Sequence, residues 1–353
     1  MRRSLISGAI LASLILVCTS MAVMAAKPKP KPKAKPVAKP AAKPTTNHAT
    51  AGTTQLKGEY ADMGSTYTLG KGDYAMNVTL KSAEYSVDSL VIADFLTYPK
   101  ADEKFLVLHL NLHNPQSREV FARYDSFMFT AVDSKDENHE FIQAGGVENT
   151  KSSFGMTMKP AQKVDIYTAI KVPAKGEMPK LIIKSPDELV LRYDLRGKVK
   201  PLPAPYADPE DKTGATALSV VPAKIGDAYP IGEFTVKVEG TSFRDKPLPD
   251  EEIAEGNHYL VLNVTIKNIS PIQQFVRGDS FVLGIKDADG AVTQPKWDMY
   301  LASRDTAYGG NIEPGQEARA RYIFEVPKDL DMKTLTITRD EDRTYQYDMS
   351  AVK

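Results

Sequence analysis

The sequence predicts an all-β protein, with two antiparallel β-sandwich domains in tandem behind an N-terminal export signal and a Lys/Pro-rich segment. Three observations lead there. Apolar residues alternate with a period of two, as at Leu106, Leu108, Leu110 and Leu112. The block around that strand returns 154 residues later. No stretch carries a sustained helical period with caps.

At the N-terminus, Met1-Arg2-Arg3 is a short positive region and Leu5 to Val17 is almost unbroken apolar. Val23-Met24-Ala25-Ala26 supplies the small residues of a cleavage site, so 1–26 reads as a secretory signal peptide. The same run would also suit an uncleaved anchor, or a lipid-modified Cys18, the only cysteine. Either way the mature chain is expected outside the cytoplasm: secreted, periplasmic or associated with the cell envelope. Residues 27–55 form a Lys/Pro-rich linker that opens Lys27-Pro28-Lys29-Pro30. Proline fixes φ and like-charged lysines repel, which favours an extended polyproline II rod. It serves as a spacer, or as an electrostatic tether to an anionic envelope.

Residues 1–44 hold nine basic residues and no acid, which leaves 36 basic against 45 acidic residues over 45–353. A general nucleic-acid binder would carry its basic excess on the folded part, so no nucleic-acid partner is expected. With Cys18 alone, disulfide scaffolds and cysteine-based zinc sites are excluded as well.

The internal repeat sets the domain limits. Phe105 to Asn114 returns as Tyr259 to Asn268, and Phe121, Arg123, Asp125, Ser126 and Phe127 as Phe275, Arg277, Asp279, Ser280 and Phe281. Between 105 and 133, ten of 29 positions are identical at that offset. Upstream, Gly72-Asp73 aligns with Gly226-Asp227, and Val78 to Tyr85 with Val236 to Phe243 after a four-residue shift. The expected domains are 56–200 and 215–353, with a Pro-rich linker at 201–214. Pro201, Pro203, Pro205 and Pro209 interrupt that joint, so independent domain motion is expected.

Within each domain the strand at 105–113 puts its leucines inward and Val107, His109, Asn111 and His113 outward. Its counterpart puts Leu260, Leu262, Val264 and Ile266 inward, with Val261, Asn263, Thr265 and Lys267 outward. Further strands are expected at 74–82, 124–132, 163–172, 180–184 and 189–195, then at 233–240, 278–286, 316–326, 333–338 and 344–349. Asp289-Gly290 supplies hairpin-turn chemistry, and Pro173 and Pro327 end strands where a ladder donor would be missing. About seven short strands per domain read as a β-sandwich.

Each domain resembles the secreted bacterial domains of unknown function with a telokin-like immunoglobulin fold. The resemblance rests on a long apolar strand ending in Asn (Asn114, Asn268) and a Phe strand leading to Asp, as in Asp287 to Gly290. A Pro-Gly turn, Pro314-Gly315, before a strand closing in Val-Pro completes it. The first domain departs from this with Asp133-Ser134-Lys135-Asp136 and Pro160-Ala161. The resemblance implies two immunoglobulin-like sandwiches and an extracytoplasmic location, and it carries no catalytic residues over.

Catalytic signatures are lacking: there is no Gly-x-Ser-x-Gly and no His-Glu-x-x-His. Gly64 to Lys71 has the wrong spacing for a phosphate loop. His109 and His113 would chelate on a helix, but on a strand they lie roughly 13 Å apart. Met156, Met158 and His139 raise copper binding, and the acids of 133–140 and 287–290 raise calcium. Neither set is complete, so no metal or cofactor is assigned. Arg277-Gly278-Asp279 spells an integrin-type tripeptide, yet Arg123-Tyr124-Asp125 occupies the same place in the first domain, which points to a structural role.

The longest variable connection, Thr293 to Thr306, gathers Lys296, Trp297, Tyr300 and Arg304, and these are the candidate partner-binding residues. The expected protein is therefore no enzyme. It is a binding protein whose partner is another extracytoplasmic macromolecule, protein or envelope polymer. A proteinase inhibitor using that loop, or a copper-binding protein, is the alternative.

Overall fold

The computed structural model describes residues 59–352. The expected signal and Lys/Pro-rich linker (1–26, 27–55) lie outside the described residues. Two β-sandwiches follow one another. In the first, one sheet runs Glu59–Ala61, Val190–Asp194, Lys180–Lys184, Met128–Val132, Asn138–Glu140. The facing sheet runs Gly146–Val147, Lys163–Pro173, Glu103–His113, Met76–Ser86, Thr66–Leu69. The leucines at 106, 108, 110 and 112 pack with Phe129, Ile183 and Leu191 in one core, as the period of two requires.

The second sandwich has the same strand order. One sheet runs Val220–Ala223, Thr344–Asp348, Met332–Thr338, Val282–Asp287, Val292–Thr293. The other runs Ala228–Ile231, Phe234–Arg244, Asn257–Asn268, Glu317–Pro327, Tyr300–Leu301. Between the described strands, pairing is antiparallel with one exception in each sandwich, and a lone bridge joins Glu84 to Lys200 in parallel. The edge strand Glu59–Ala61 runs parallel to Leu191–Tyr193, and Val220–Ala223 runs parallel to Thr344–Tyr347.

Register explains the four-residue shift seen in the sequence. Val78 pairs with Leu112, and Val236 with Ile266. Both strands bulge at the same point, after Leu80 and after Val238. The stretch from them to the next long strand is 87–102 in the first sandwich and 245–256 in the second, four residues shorter, which accounts for that shift, and the turn before them, 70–75 against 232–233, is shorter by four again. Gly226 donates to the Val238 carbonyl as Gly64 does to that of Leu80, both at 2.8 Å. Gly226 is therefore the counterpart of Gly64, and its alignment with Gly72 is corrected.

The outer faces of the central strands also differ from expectation. Val107 and Val261 are buried, not outward in solvent. In the first sandwich Phe105, Val107 and Ala169 pack with Leu90, from the hairpin Leu90–Ile92/Phe95–Thr97, and with Ile142. In the second, Leu248, Tyr259, Tyr300 and Ile323 form a separate cluster with Ile253. Insertions between strands thus cover a second apolar layer that a two-layer reading does not contain.

The Pro-rich joint is built into the fold. Leu202, Ala215 and Ala217 are buried in the first core, although 215 onward was assigned to the second domain. Leu202 N–H donates to the Gly214 carbonyl, Asp208 N–H to Thr216 and Leu218 N–H to Tyr206, closing the segment on itself. Lys104, fully buried, donates from Nζ to the carbonyls of Ala174, Gly176 and Ala215. Proline stops strand formation there, but it does not stop the apolar residues between the prolines from burying. The described residues, 59–352, fall within one compact unit.

Candidate functional site

The loop 293–306 is held to the edge of the strand Glu317–Pro327. Lys296 N–H donates to the Ile323 carbonyl at 2.7 Å, and Tyr300–Leu301 pairs with Arg321 and Ala320. Behind it, Asp305 accepts from Arg244 Nη1 and Nη2, both at 2.7 Å, and from Arg321 Nη2 at 3.0 Å. The two guanidinium groups, Arg244 foremost, hold the Asp305 carboxyl down at about 2. Arg321 Nε also donates to the Leu301 carbonyl at 2.9 Å, tying the loop backbone to the strand.

Of the four residues singled out from the sequence, the structure exposes two and buries or engages two. Trp297 is 82% exposed, and Arg304 is exposed. Tyr300 lies in the apolar cluster with Leu248, Tyr259 and Ile323. Lys296 is half-buried, 2.6 Å from Glu251 and 3.4 Å from Glu325, with its ammonium over the Tyr259 ring. Burial is the largest single influence and would lower its pKa, but the hydrogen bonds to Glu251 and Glu325 and the charges of Glu251 and Tyr259 together outweigh it and raise the ammonium above the ordinary lysine range. Tyr300 and Lys296 brace the loop, and Trp297 and Arg304 are what it presents.

Gly278 explains why the Trp297 backbone can sit where it does. A Cβ on Gly278 would collide with the Trp297 carbonyl oxygen. The tripeptide Arg277-Gly278-Asp279 is a short 3₁₀ turn in which Ser280 Oγ accepts the Arg277 N–H at 2.9 Å and Arg277 Nε meets Asp279 at 2.6 Å. Arg123, Asp125 and Ser126 repeat those contacts. Both are structural turns leading into a strand.

Of the residues that raised copper binding, two have other partners in the fold. Met158 is fully buried in the first core, paired with Val120, whereas His139 lies on the edge strand Asn138–Glu140 and meets Asp133 at 3.3 Å. Asp133, Glu137 and His139 bring donor atoms within 4.8 Å of one another. However, Asp133 Oδ1 accepts the N–H groups of Lys135 and Glu137, and Asp287 Oδ1 does the same for Asp289 and Ala291. The acidic turns thus close their own backbone. His109 and His113 are half-buried, not exposed: His109 meets Glu148 at 2.6 Å, and His113 meets Asn77 at 3.1 Å.

The Arg244–Asp305–Arg321 clamp was missed in the sequence. Its members are 61 and 16 residues apart and carry no common motif, so only the fold brings them together.

A family model described as "Domain of unknown function (DUF4352)" matches residues 223–346. No curated protein matches. Among solved structures, an uncharacterized β-sandwich protein from Clostridium difficile 630 is 18% identical, with a TM-score of 0.29 over 36% of this chain and 91% of that one. The yjhA protein from Bacillus subtilis is 17% identical, with a TM-score of 0.27 over 35% and 96%. MPT63, a secreted protein from Mycobacterium tuberculosis, is 13% identical, with a TM-score of 0.29 over 39% and 97%. Among the described residues no helix is long and apolar enough to cross a membrane.

Proposed function

We propose that this chain is a non-catalytic, extracytoplasmic binding protein that presents Trp297 and Arg304 to another macromolecule. The observation that carries the reading is an 82% exposed tryptophan on a loop whose neighbours are fixed by a buried Tyr300 and a two-arginine clamp. Exposed Trp and Arg on a rigid support are the residues that dominate protein contacts, because little entropy is lost when they bind. The export signal read at 1–26 and the Lys/Pro-rich segment at 27–55 support a place at the envelope, with the lysines adding attraction to anionic polymers.

The two sandwiches are read as duplicates of one telokin-like immunoglobulin domain. Matching registers, matching bulges and the buried Asn114 and Asn268 support this. The test is a crosslinked pull-down from envelope extract with the full chain and its Trp297→Ala and Arg304→Ala variants. The wild type retrieves a partner and each variant loses most of it. Equal retrieval by all three would overturn the assignment of the loop.

A further inference from the structure

The first sandwich carries a cleft that the second lacks the turn to form. Its extra turn, Gly70 to Ala75, stands beside the strands that begin at Met76 and Val120 and the turn Ser185 to Asp187, enclosing about 390 Å³. Met76, Val120, Ala122 and Phe127 are buried around it, while Tyr74, 82% exposed, and Phe121, 63% exposed, also line it. In the second sandwich the matching turn is Gly232-Glu233, whose carboxylate is bonded to Arg339 and to Tyr98.

The turn that makes the cleft is firmly built. Gly70, at φ +87°, has no room for a Cβ beside the Tyr74 carbonyl. Buried Gln116 donates from Nε2 to the carbonyls of Gly72 and Ala75, each at 3.0 Å, and Arg118 pairs with Asp73 at 2.8 Å. An insertion so braced that still leaves Tyr74 in solvent gains nothing in folding from that ring. A second observation points to a ligand. Asp187 lines the cleft, and its Oδ1 accepts from Ser185 Oγ. Its Oδ2 is shielded from solvent without any hydrogen-bond partner, a costly state for a carboxylate oxygen. Rotation of this partly exposed side chain toward the cleft lets a donor there satisfy it.

We infer that the cleft binds a small amphipathic molecule with an apolar, ring-sized body and one terminal hydrogen-bond donor, an ammonium or a hydroxyl, directed at Asp187. The inference rests on reading the chain as a binding protein and adds a site on its other sandwich. The body occupies the space between Met76, Val120 and Phe127, with Tyr74 and Phe121 closing on it. The head meets Asp187, the one carboxylate among the cleft's lining residues, which disfavours an anionic head beside it, while Lys71, the one cation of the lining, is exposed to solvent.

The test is calorimetric titration of the full chain with three probes that share a phenylalkyl body: phenethylammonium, 2-phenylethanol and 3-phenylpropanoate. The ammonium or the alcohol binds saturably, and the carboxylate binds at least about tenfold more weakly. A stronger ammonium identifies a cationic ligand, and parity with the alcohol identifies a hydroxyl. Asp187→Asn removes the discrimination against the carboxylate. Tyr74→Ser and Phe121→Ser, both at exposed positions, weaken every probe that binds. No saturable binding of any probe up to about 10 mM would overturn the inference. So would equal binding of the carboxylate, or Asp187→Asn behaving as wild type. Trp297→Ala leaves these titrations unchanged, so failure here and failure of the envelope pull-down are separate results.

Discussion

Arg343 of the second sandwich donates through Nη2 to the main-chain carbonyl of Glu103 in the first. Its Nη1 donates to the Pro99 carbonyl and its Nε to that of Leu218, each at 3.2 Å, and the residue is 3% exposed. Burial lowers its pKa from the ordinary arginine value, and three carbonyls from separate segments take up the charge. Ser89 donates to the Gly232 carbonyl and Lys100 pairs with Glu341 around the same contact. The independent motion expected from a proline-interrupted joint gives way to a shared, hydrogen-bonded interface.

Arg343→Met therefore uncouples the two sandwiches. It leaves one buried and two part-buried carbonyls without this donor, a loss on the order of 3 kcal/mol. Wild type unfolds calorimetrically in one transition and the variant in two. A single transition in Arg343→Met, at an unchanged midpoint, would show that the contact carries no coupling.

Lys104 gives a pH signature. Burial lowers its ammonium pKa to about 8 from 10.5. Between those values the folded chain has released a proton that the unfolded chain still holds, so stability rises with pH across that window. The penalty on the charged form is fully present below pH 8 and is relieved as pH approaches 10.5. Burial pushes the neighbouring Tyr85 up to about 12, which gives a falling contribution above its ordinary value of 10. Urea midpoints of wild type and Lys104→Met, compared at pH 7.5 and pH 9.5, isolate the lysine. The wild type gains on the variant at the higher pH, by on the order of 1 kcal/mol. A constant difference would mean that Lys104 titrates at its ordinary value in the folded chain.

The period of two made the long strands legible, because burying one face of Glu103–His113 fixes which residues alternate. The 154-residue offset likewise aligned the Arg-x-Asp-Ser turns, whose contacts are local. What the sequence hid depends on distant packing. Val107 and Val261 looked solvent-facing because the pattern cannot show that an insertion will fold over them. Leu202 looks like linker because prolines surround it, and Ala215 and Ala217 read as the start of the second domain; their burial in the first core depends on packing that the local sequence does not show. At the candidate site, Trp297 and Tyr300 carry the same local signal, and only the cluster around Tyr259 separates the buried ring from the exposed one.

Asn114 and Asn268 are fully buried and tie the same crossing. Asn114 Nδ2 donates to the carbonyls of Arg118, Met158 and Lys159, while its Oδ1 accepts the Gln116 N–H. Asn268 Nδ2 donates to Ile272 and Ile312, and its Oδ1 accepts from Ser270. Asparagine is needed because one side chain supplies both donors and acceptor. Asn114→Ala and Asn268→Ala each cost on the order of 2 kcal/mol in urea unfolding, since buried backbone groups lose their partners. Replacement by Asp costs at least as much, as a carboxylate cannot donate to those carbonyls. A cost below about 0.5 kcal/mol for either alanine variant would remove the latch from the account.

Gly278 and Trp297 allow the loop's support to be separated from what it presents. Gly278 lies where a Cβ would strike the Trp297 carbonyl and crowd the Met299 nitrogen, and Met299 is fully buried. Gly278→Ala therefore shifts the loop backbone and costs about 1–3 kcal/mol, as overpacking does. Trp297→Ala removes an exposed ring and stays within about 0.5 kcal/mol of wild type. Tyr300→Ala empties a buried position and costs roughly 3–5 kcal/mol. Thermal unfolding ranks the three variants, and tryptophan fluorescence, which reports on the only Trp in the chain, reads the displacement in Gly278→Ala directly. If Gly278→Ala left both midpoint and emission unchanged while Trp297→Ala destabilised the fold, the ring itself would be the structural element, and it would be unavailable to a partner.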